Sequence, residues 1–267
     1  MERILNIPFN KLNLNDILEL VKNTIISNKK LQIITLNTEM IMIAHKDEEF
    51  REVIEKAGLV IPESSGLQLA WEYKQTKRGL LNLVKSGVKA VAGKNLEDPL
   101  EIIPGVDLAF FLVGMCEEFG YKLMLVGGRE GTALTAAQKM RAKFRRLDVK
   151  ASWGGNFKNT DSSGLIAEIN SYKPDILFVA LGAPRQEKWI AAHLPDLESK
   201  VVMGVGGTLD YWSEGLTRAP EVVRRLGLEW LFRLVRQPGR AKRQMSLIKF
   251  LWKLSKEKSP QDYDKSL

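Results

Sequence analysis

The sequence predicts an α/β protein, a doubly wound and mostly parallel sheet carrying a helical C-terminal appendage. Three observations predict it. Short segments that are continuously apolar or rich in β-formers recur along the chain, each stopping at a polar residue or a glycine. Stretches with apolar residues at helical spacing lie between them, and alternation of the two kinds over 120–207 requires parallel pairing through right-handed crossovers. The last fifth of the chain changes character, becoming basic and aromatic.

In chain order, 13–28 follows an Asn-rich start and reads as a helix, and LQIITLN (31–37) reads as a strand buried on both faces. Residues 38–57 have apolar positions at helical spacing, and GLVIPE (58–63) is the next strand. The stretch 75–104 mixes basic residues, glycines and prolines and is read as a flap over the sheet. YKLMLVGG (121–128) is a strand, GTALTAAQKMRAKFRRL (131–147) a helix and DVKASWGG (148–155) a further candidate strand. DSSGLIAEINSYK (161–173) reads as a helix with Asp161 as N-cap. DILFVALG (175–182) and KVVMGVGG (200–207) are strands, and between them PRQEKWIAAHL (184–194) begins a helix with Pro184 at its first position. The chain divides into an α/β core, 1–217, and a basic amphipathic appendage, 218–267.

Composition narrows the function classes. The single cysteine, Cys116, rules out a disulfide within the chain, and with His45 and His193 as its two histidines the chain is a poor source of a Cys/His zinc cage. Cys116 sits in the apolar run LAFFLVGMC and is read as a core thiol. The N-terminal MERILNIPFNKLN lacks the pattern of a secretory signal, and no apolar run approaches the ~20 residues of a spanning helix, so a cytoplasmic protein is expected. Residues 218–267 hold 13 Lys and Arg against 5 Asp and Glu, so the whole formal excess of +8 lies there and an anionic surface is its expected partner.

In open parallel sheets ligands bind beyond the carboxyl ends of the strands. The unusual residues of this chain fall at those ends: Thr35 and Asn37; Pro62-Glu63-Ser64-Ser65-Gly66; Gly127, Gly128 and Gly131; Gly182-Ala183-Pro184-Arg185-Gln186; and Gly204-Val205-Gly206-Gly207-Thr208. Glycines admit a ligand close to the backbone, and helix starts present N–H groups to phosphate. GGxxG alone equally describes a tight strand-to-helix turn. It departs from the GxGxxG fingerprint, and DVKASW supplies no acidic residue for a ribose hydroxyl, so a nicotinamide enzyme is disfavoured. FVALGAPRQEKW (178–189) is more specific, because it puts a cation, an amide and free N–H groups at one helix start, suited to a diphosphate or a sugar hydroxyl.

FVALGAPRQEKW, MGVGGTLDYWSEGLTRAP (203–220) and GLEWLFRLVRQPGRAKR (227–243) together resemble the WecG/TagA/CpsF glycosyltransferases. Thr35-x-Asn37 with Glu39, the PESSG segment and IPGVDL (103–108) fall in that family's order. The resemblance implies a variant Rossmann-like sheet with a C-terminal appendage, of the kind called GT-E. It implies an inverting, metal-independent transfer from a UDP-sugar to a polyprenyl-diphosphate-linked sugar, with no cofactor. The expected setting is the inner face of the cell membrane, and a homo-oligomer is an expected assembly. Carried over by residue, Thr35, Asn37 and Gln186 match pocket residues of the family. Gly204, Gly206, Gly207 and Asp210 match its glycine block beside the nucleotide; Gly127, Gly128, Gly182, Pro184 and Arg185, read from their place at strand ends and helix starts, are expected as further nucleotide-sugar contacts. Arg233, Arg240 and Arg243 match appendage arginines that reach the lipid diphosphate. Glu63 stands where the family often has an aspartate as general base, and Ile102 where it often has an arginine.

Such chemistry needs a base for the acceptor hydroxyl, a neutraliser for the departing diphosphate and a grip on the lipid. Asp262-x-Asp264 lies in SKEKSPQDYDKSL, read as a disordered end, so arginines and helix starts are expected to meet the leaving charge rather than a metal. Trp230, Leu231, Phe232, Leu234, Val235, Leu247, Ile248, Phe250, Leu251 and Trp252, interleaved with Lys249, Lys253 and Lys256, suit a helix lying in the headgroup layer. The bland reading packs those aromatics on the core and leaves the lysines solvated. Two competing readings stand beside the transferase. One is a catalytically altered family member. The other is a nucleic-acid binder, which lacks a recognised motif and fits the apolar tail less well than lipid does.

Overall fold

A computed structural model of the protein describes residues 1–75, 82, 85–87, 99–152, 162–214 and 241–256, with side chains of the last stretch from 246 onward. Its strands are β1 (Glu2–Ile4), β2 (Ile7–Phe9), β3 (Leu31–Leu36), β4 (Leu59–Pro62), β5 (Leu123–Gly127), β6 (Val149–Ser152), β7 (Ile176–Ala180) and β8 (Val201–Gly204). Its helices, numbered among the described residues, are α1 (Leu14–Ile26), α2 (Thr38–Ala44), α3 (Glu48–Lys56), α4 (Ser65–Lys74), α5 (Gly105–Phe119), α6 (Thr132–Lys143), α7 (Ser163–Tyr172), α8 (Arg185–His193), α9 (Thr208–Glu214) and α10 (Ala241–Lys256).

β1 and β2 form a small antiparallel hairpin; the other six strands form one sheet in the order β4-β3-β8-β7-β5-β6. Every pairing in that sheet is parallel. All six carboxyl ends therefore share one rim, as the sequence predicts. The expected strands are each present and shorter by a few residues, because the polar or glycine ends turn into loops.

Alternation along the strands divides the core in two. Ile33, Ile176, Phe178, Val201 and Met203 face one side and pack with α1, α5, α6 and α9. Ile34 and Leu36 face the other, against the hairpin, α2, α3, α4 and α10. Leu177, Val179 and Val202 share that second side and pack with α7 and α8. Cys116 lies fully buried in α5, and burial pushes its thiol far above the usual range, consistent with a core role.

Several boundaries differ from the sequence reading. The helix expected over 38–57 is two, because Asp47 takes an extended conformation and accepts from Phe50 N–H at 3.0 Å, starting α3 afresh. Pro184 occupies the N-cap of α8 rather than its first helical position. Ser162 takes the N-cap position of α7, and Asp161 lies outside the described residues. Most of the expected flap, 75–104, and all of 218–240 also lie outside them. The appendage's aromatic residues do not all face outward: Phe250 and Leu254 of α10 are buried against α2, while Ile248 and Trp252 are exposed.

Candidate active site

The site is built where β3 and β4 end. β3 breaks at Asn37, whose side-chain oxygen accepts from Met40 N–H at 3.0 Å and caps α2. The cap uses only the carbonyl half of the amide. The other half, Nδ2, donates to Glu63 Oε1 at 2.8 Å. Glu63 directly follows β4, and its own N–H donates to Leu36 O at 2.9 Å, which holds the two strand ends together.

The second Glu63 oxygen is also held. Gly105 N–H, at the start of α5, donates to Oε2 at 3.2 Å. Ile103 N–H donates to Pro62 O at 3.1 Å and fixes that helix start against β4. A carboxylate there meets both a directed N–H and the positive end of a fifteen-residue helix. A Cβ added to Gly105 would lie 2.9 Å from both Glu63 Oε2 and Thr35 Oγ1. A larger residue there would have to displace the Glu63 carboxylate or the Thr35 hydroxyl, and the same distances place Thr35 beside the carboxylate. Thr35 itself is nearly buried.

A second cluster lies along the same rim, where β7 and β8 end. Gln186, in the first turn of α8, accepts through Oε1 from Gly182 N–H and Gly206 N–H, each at 3.0 Å. Gly182 and Gly206 have φ of +75° and +50°, the left-handed region in which glycine aims these N–H groups inward without strain. Gln186 thus clamps the two strand-end loops. Its Nε2 lies over Gly204, where a Cβ would come within 2.6 Å, and donates to Glu187 Oε1 at 2.7 Å. Glu187 is buried, its Oε2 has no hydrogen-bond partner among the described residues, and burial pushes its carboxyl up to about 7.

The remaining expected residues fall as follows. Gly127 ends β5 and Gly128 follows it, the Gly128 N–H donating to Ala180 O at 2.8 Å across to β7. Arg185 is exposed and its guanidinium donates to Leu181 O at 2.7 Å. Asp210 lies in α9, 3.6 Å from Arg129, which also pairs with Glu214 at 2.5 Å. Gly207 directly precedes α9. Arg233 and Arg240 lie outside the described residues, as does the side chain of Arg243. Ile102 is partly buried and packs against the core cluster to which the hairpin and α4 contribute. No expected site residue lines the groove of about 670 Å³ between α1 and α5. Among the described residues no group of three or more His, Cys, Asp and Glu gathers as a metal centre would require. No described helix is long and apolar enough to cross a membrane.

Sequence reasoning gave no role to Gly105 or Glu187. The first could have been found from Pro104-Gly105 ahead of an apolar helix, a start signal with a free N–H. The second is masked by its setting in the polar run Arg-Gln-Glu-Lys, which reads as a solvated turn.

Comparison with known proteins places the chain in a family. The sequence model of the glycosyl transferase WecG/TagA/CpsF family matches residues 2–263. Among curated proteins the chain is similar to an enzyme of Staphylococcus aureus (strain MRSA252) named N-acetylglucosaminyldiphosphoundecaprenol N-acetyl-beta-D-mannosaminyltransferase. The two are 27% identical over 258 residues, covering 96% of this chain and 92% of that protein. The protein of the same name from strain MW2 is 26% identical over the same share of both chains.

Proposed function

The chain belongs to the glycosyl transferase WecG/TagA/CpsF family and is a glycosyltransferase; on that premise we propose that it transfers an N-acetylmannosamine-like sugar, or a related hexose, from a UDP-sugar to a polyprenyl-diphosphate-linked sugar. The observation that carries the mechanism is the carboxylate of Glu63, held by one donor on each oxygen at the carboxyl rim of the sheet. The names of the relatives support the acceptor class.

In the proposed reaction Glu63 takes the proton of the acceptor hydroxyl as that oxygen bonds to the anomeric carbon from the face opposite the leaving group. The bond to UDP breaks, UDP leaves with the electron pair, and configuration inverts. Asn37 and Gly105 fix the orientation of the carboxylate beforehand, so no reorganisation is needed at the moment of attack. The nucleotide is assigned to the glycine turns at Gly127–Gly128, Gly182 and Gly204–Gly207. The lipid diphosphate is assigned to Arg233, Arg240 and Arg243 on the family resemblance alone. Metal-independence is part of the same proposal, as is a seat on the anionic inner membrane surface.

A second reading is a catalytically altered member that binds without turnover. It draws on Ile102, a partly buried apolar residue where the family often has an arginine. One experiment decides between them. Purified protein is given a panel of UDP-sugars, UDP-N-acetylmannosamine among them, with a short-chain polyprenyl-diphosphate N-acetylglucosamine, and both UDP release and acceptor mass are followed. Transfer is expected, with Glu63→Gln slowing it roughly 10²–10⁴-fold, the usual contribution of a general base. Absence of turnover across the panel in the wild type supports the second reading.

A further inference from the structure

We propose that the exposed apolar ridge of α10 is an interaction surface for a second copy of this chain, seated in the groove between α1 and α5 of that copy. The pairing is head-to-tail, and it is independent of the transferase reading.

Two surfaces carry this. Of the seven large apolar side chains exposed on the described helices, four lie on α1 and α5 and two on α10, so exposed apolar surface is concentrated at two places. The first is concave. A groove of about 670 Å³ runs between α1 and α5, lined by Leu18, Phe110, Phe111, Gly114, Met115 and Phe119. Gly114 leaves room in it, since a Cβ there would meet nothing within 4 Å. Glu19 and Glu118 also line it and make no ion pair among the described residues. Lys22, on the same groove, lies 4.2 Å over the Phe119 ring. The second surface is convex. Phe250 and Leu254 turn into the core, while Ile248 and Trp252, one helical turn apart, project from the opposite side of α10. Lys249 and Lys256 are exposed beside them, the Lys256 ammonium 3.9 Å from the centre of the Trp252 ring.

Shape and charge select the occupant. An apolar pair at i and i+4 is what a helix offers to a groove, and the lysines beside it meet the acids of the groove. Two grooves cannot fill each other, and their acids would repel. An anionic headgroup would be repelled there in the same way. The chain cannot seat its own α10, because α10 packs with α2 and α4 on one side of the sheet while α1 and α5 pack on the other. The groove therefore takes the ridge of another molecule. Ridge and groove of one copy are then used by different neighbours, so assembly continues past a dimer into a ring or a filament.

Sedimentation velocity over a dilution series tests this. Wild-type protein is expected to sediment faster as concentration rises, and less so in high salt, which screens the lysine–carboxylate attraction. Ile248→Ser with Trp252→Ser removes the ridge, and Glu19→Lys with Glu118→Lys reverses the charge of the groove. All four side chains are exposed, so both variants should melt as the wild type does, and each alone should be a monomer. Mixed, they should form a one-to-one dimer and nothing larger, since the first keeps its groove and the second its ridge. A wild type that stays monomeric up to about 0.2 mM overturns the proposal. If that monomer floats with phosphatidylglycerol vesicles, the ridge belongs to lipid instead. Assembly that survives in the ridge variant, or normally melting variants that do not pair when mixed, overturns the head-to-tail contact.

Discussion

Glu63 and Glu187 are the two acids of this site, and the protein treats them oppositely. Glu63 has a donor on each oxygen, whereas Glu187 has one oxygen bonded and one sealed in the core. That difference has a consequence for stability. Burial raises the Glu187 carboxyl from 4.5 to about 7, so the folded protein holds a proton that the unfolded chain releases at lower pH. Its burden is absent below about pH 4.5, grows as pH rises, and is complete above about 7, where it reaches roughly 3 kcal/mol. Glu187→Gln should therefore unfold at a higher temperature than wild type at pH 8, by several degrees, and at nearly the same temperature at pH 4.5. Thermal melts across that range check it. Asn37 and Glu63 were legible in the sequence because polar residues at the end of a buried strand are conspicuous. The sequence singled out Gln186 as a candidate, but its task of joining two loops was not legible, since that depends on where Gly182 and Gly206 meet in space.

α2 shows how one residue can serve an element and a site at once. Asn37 caps the helix with its oxygen and steadies Glu63 with its nitrogen. The two duties can be separated. Asn37→Ser keeps a side-chain oxygen for the cap, while Asn37→Ala loses it at a cost of about 1 kcal/mol. The alanine variant should melt roughly 2–4 °C below the serine variant. Both lose the amide contact to Glu63 and should be equally slow in transfer. A serine variant with wild-type activity would show that the amide contact is dispensable. The sequence reading fused α2 and α3 because the apolar spacing runs through both. Helical periodicity does not report a break when Asp47 starts a new helix nearly in phase with the old one. α4, α5 and α9 are missing from the sequence reading for a different reason: their polar or glycine-rich starts have the composition of loops.

At the scale of the whole molecule the sheet was readable and the appendage only half so. Six strands buried on both faces print themselves on the sequence as apolar runs. α10 carries mixed apolar and basic residues, which describe a lipid-facing helix and a core-facing helix equally well. The structure divides them, turning Phe250 and Leu254 inward and leaving Ile248 and Trp252 exposed beside Lys249, Lys253 and Lys256. Phe250→Ala should cost about 3–5 kcal/mol, the range for an aromatic removed from a packed core. Ile248→Ser with Trp252→Ser should leave the melting temperature nearly unchanged. If the proposed membrane seat is right, the same double variant should float poorly with anionic phosphatidylglycerol vesicles, and wild-type flotation should weaken with added salt. Wild-type protein that ignores such vesicles would remove the membrane from the proposal.

The docking of α10 on α2 also sets an order of assembly. During synthesis α2 leaves the ribosome some two hundred residues before the segment that covers it. Its greasy side, Met40, Ile41 and Ala44, must wait in the nascent chain for Phe250 and Leu254 to arrive. The half of the protein that carries Asn37 is thus the half completed last. A truncated or stalled chain would expose that surface to chaperones and to other unfinished copies of itself.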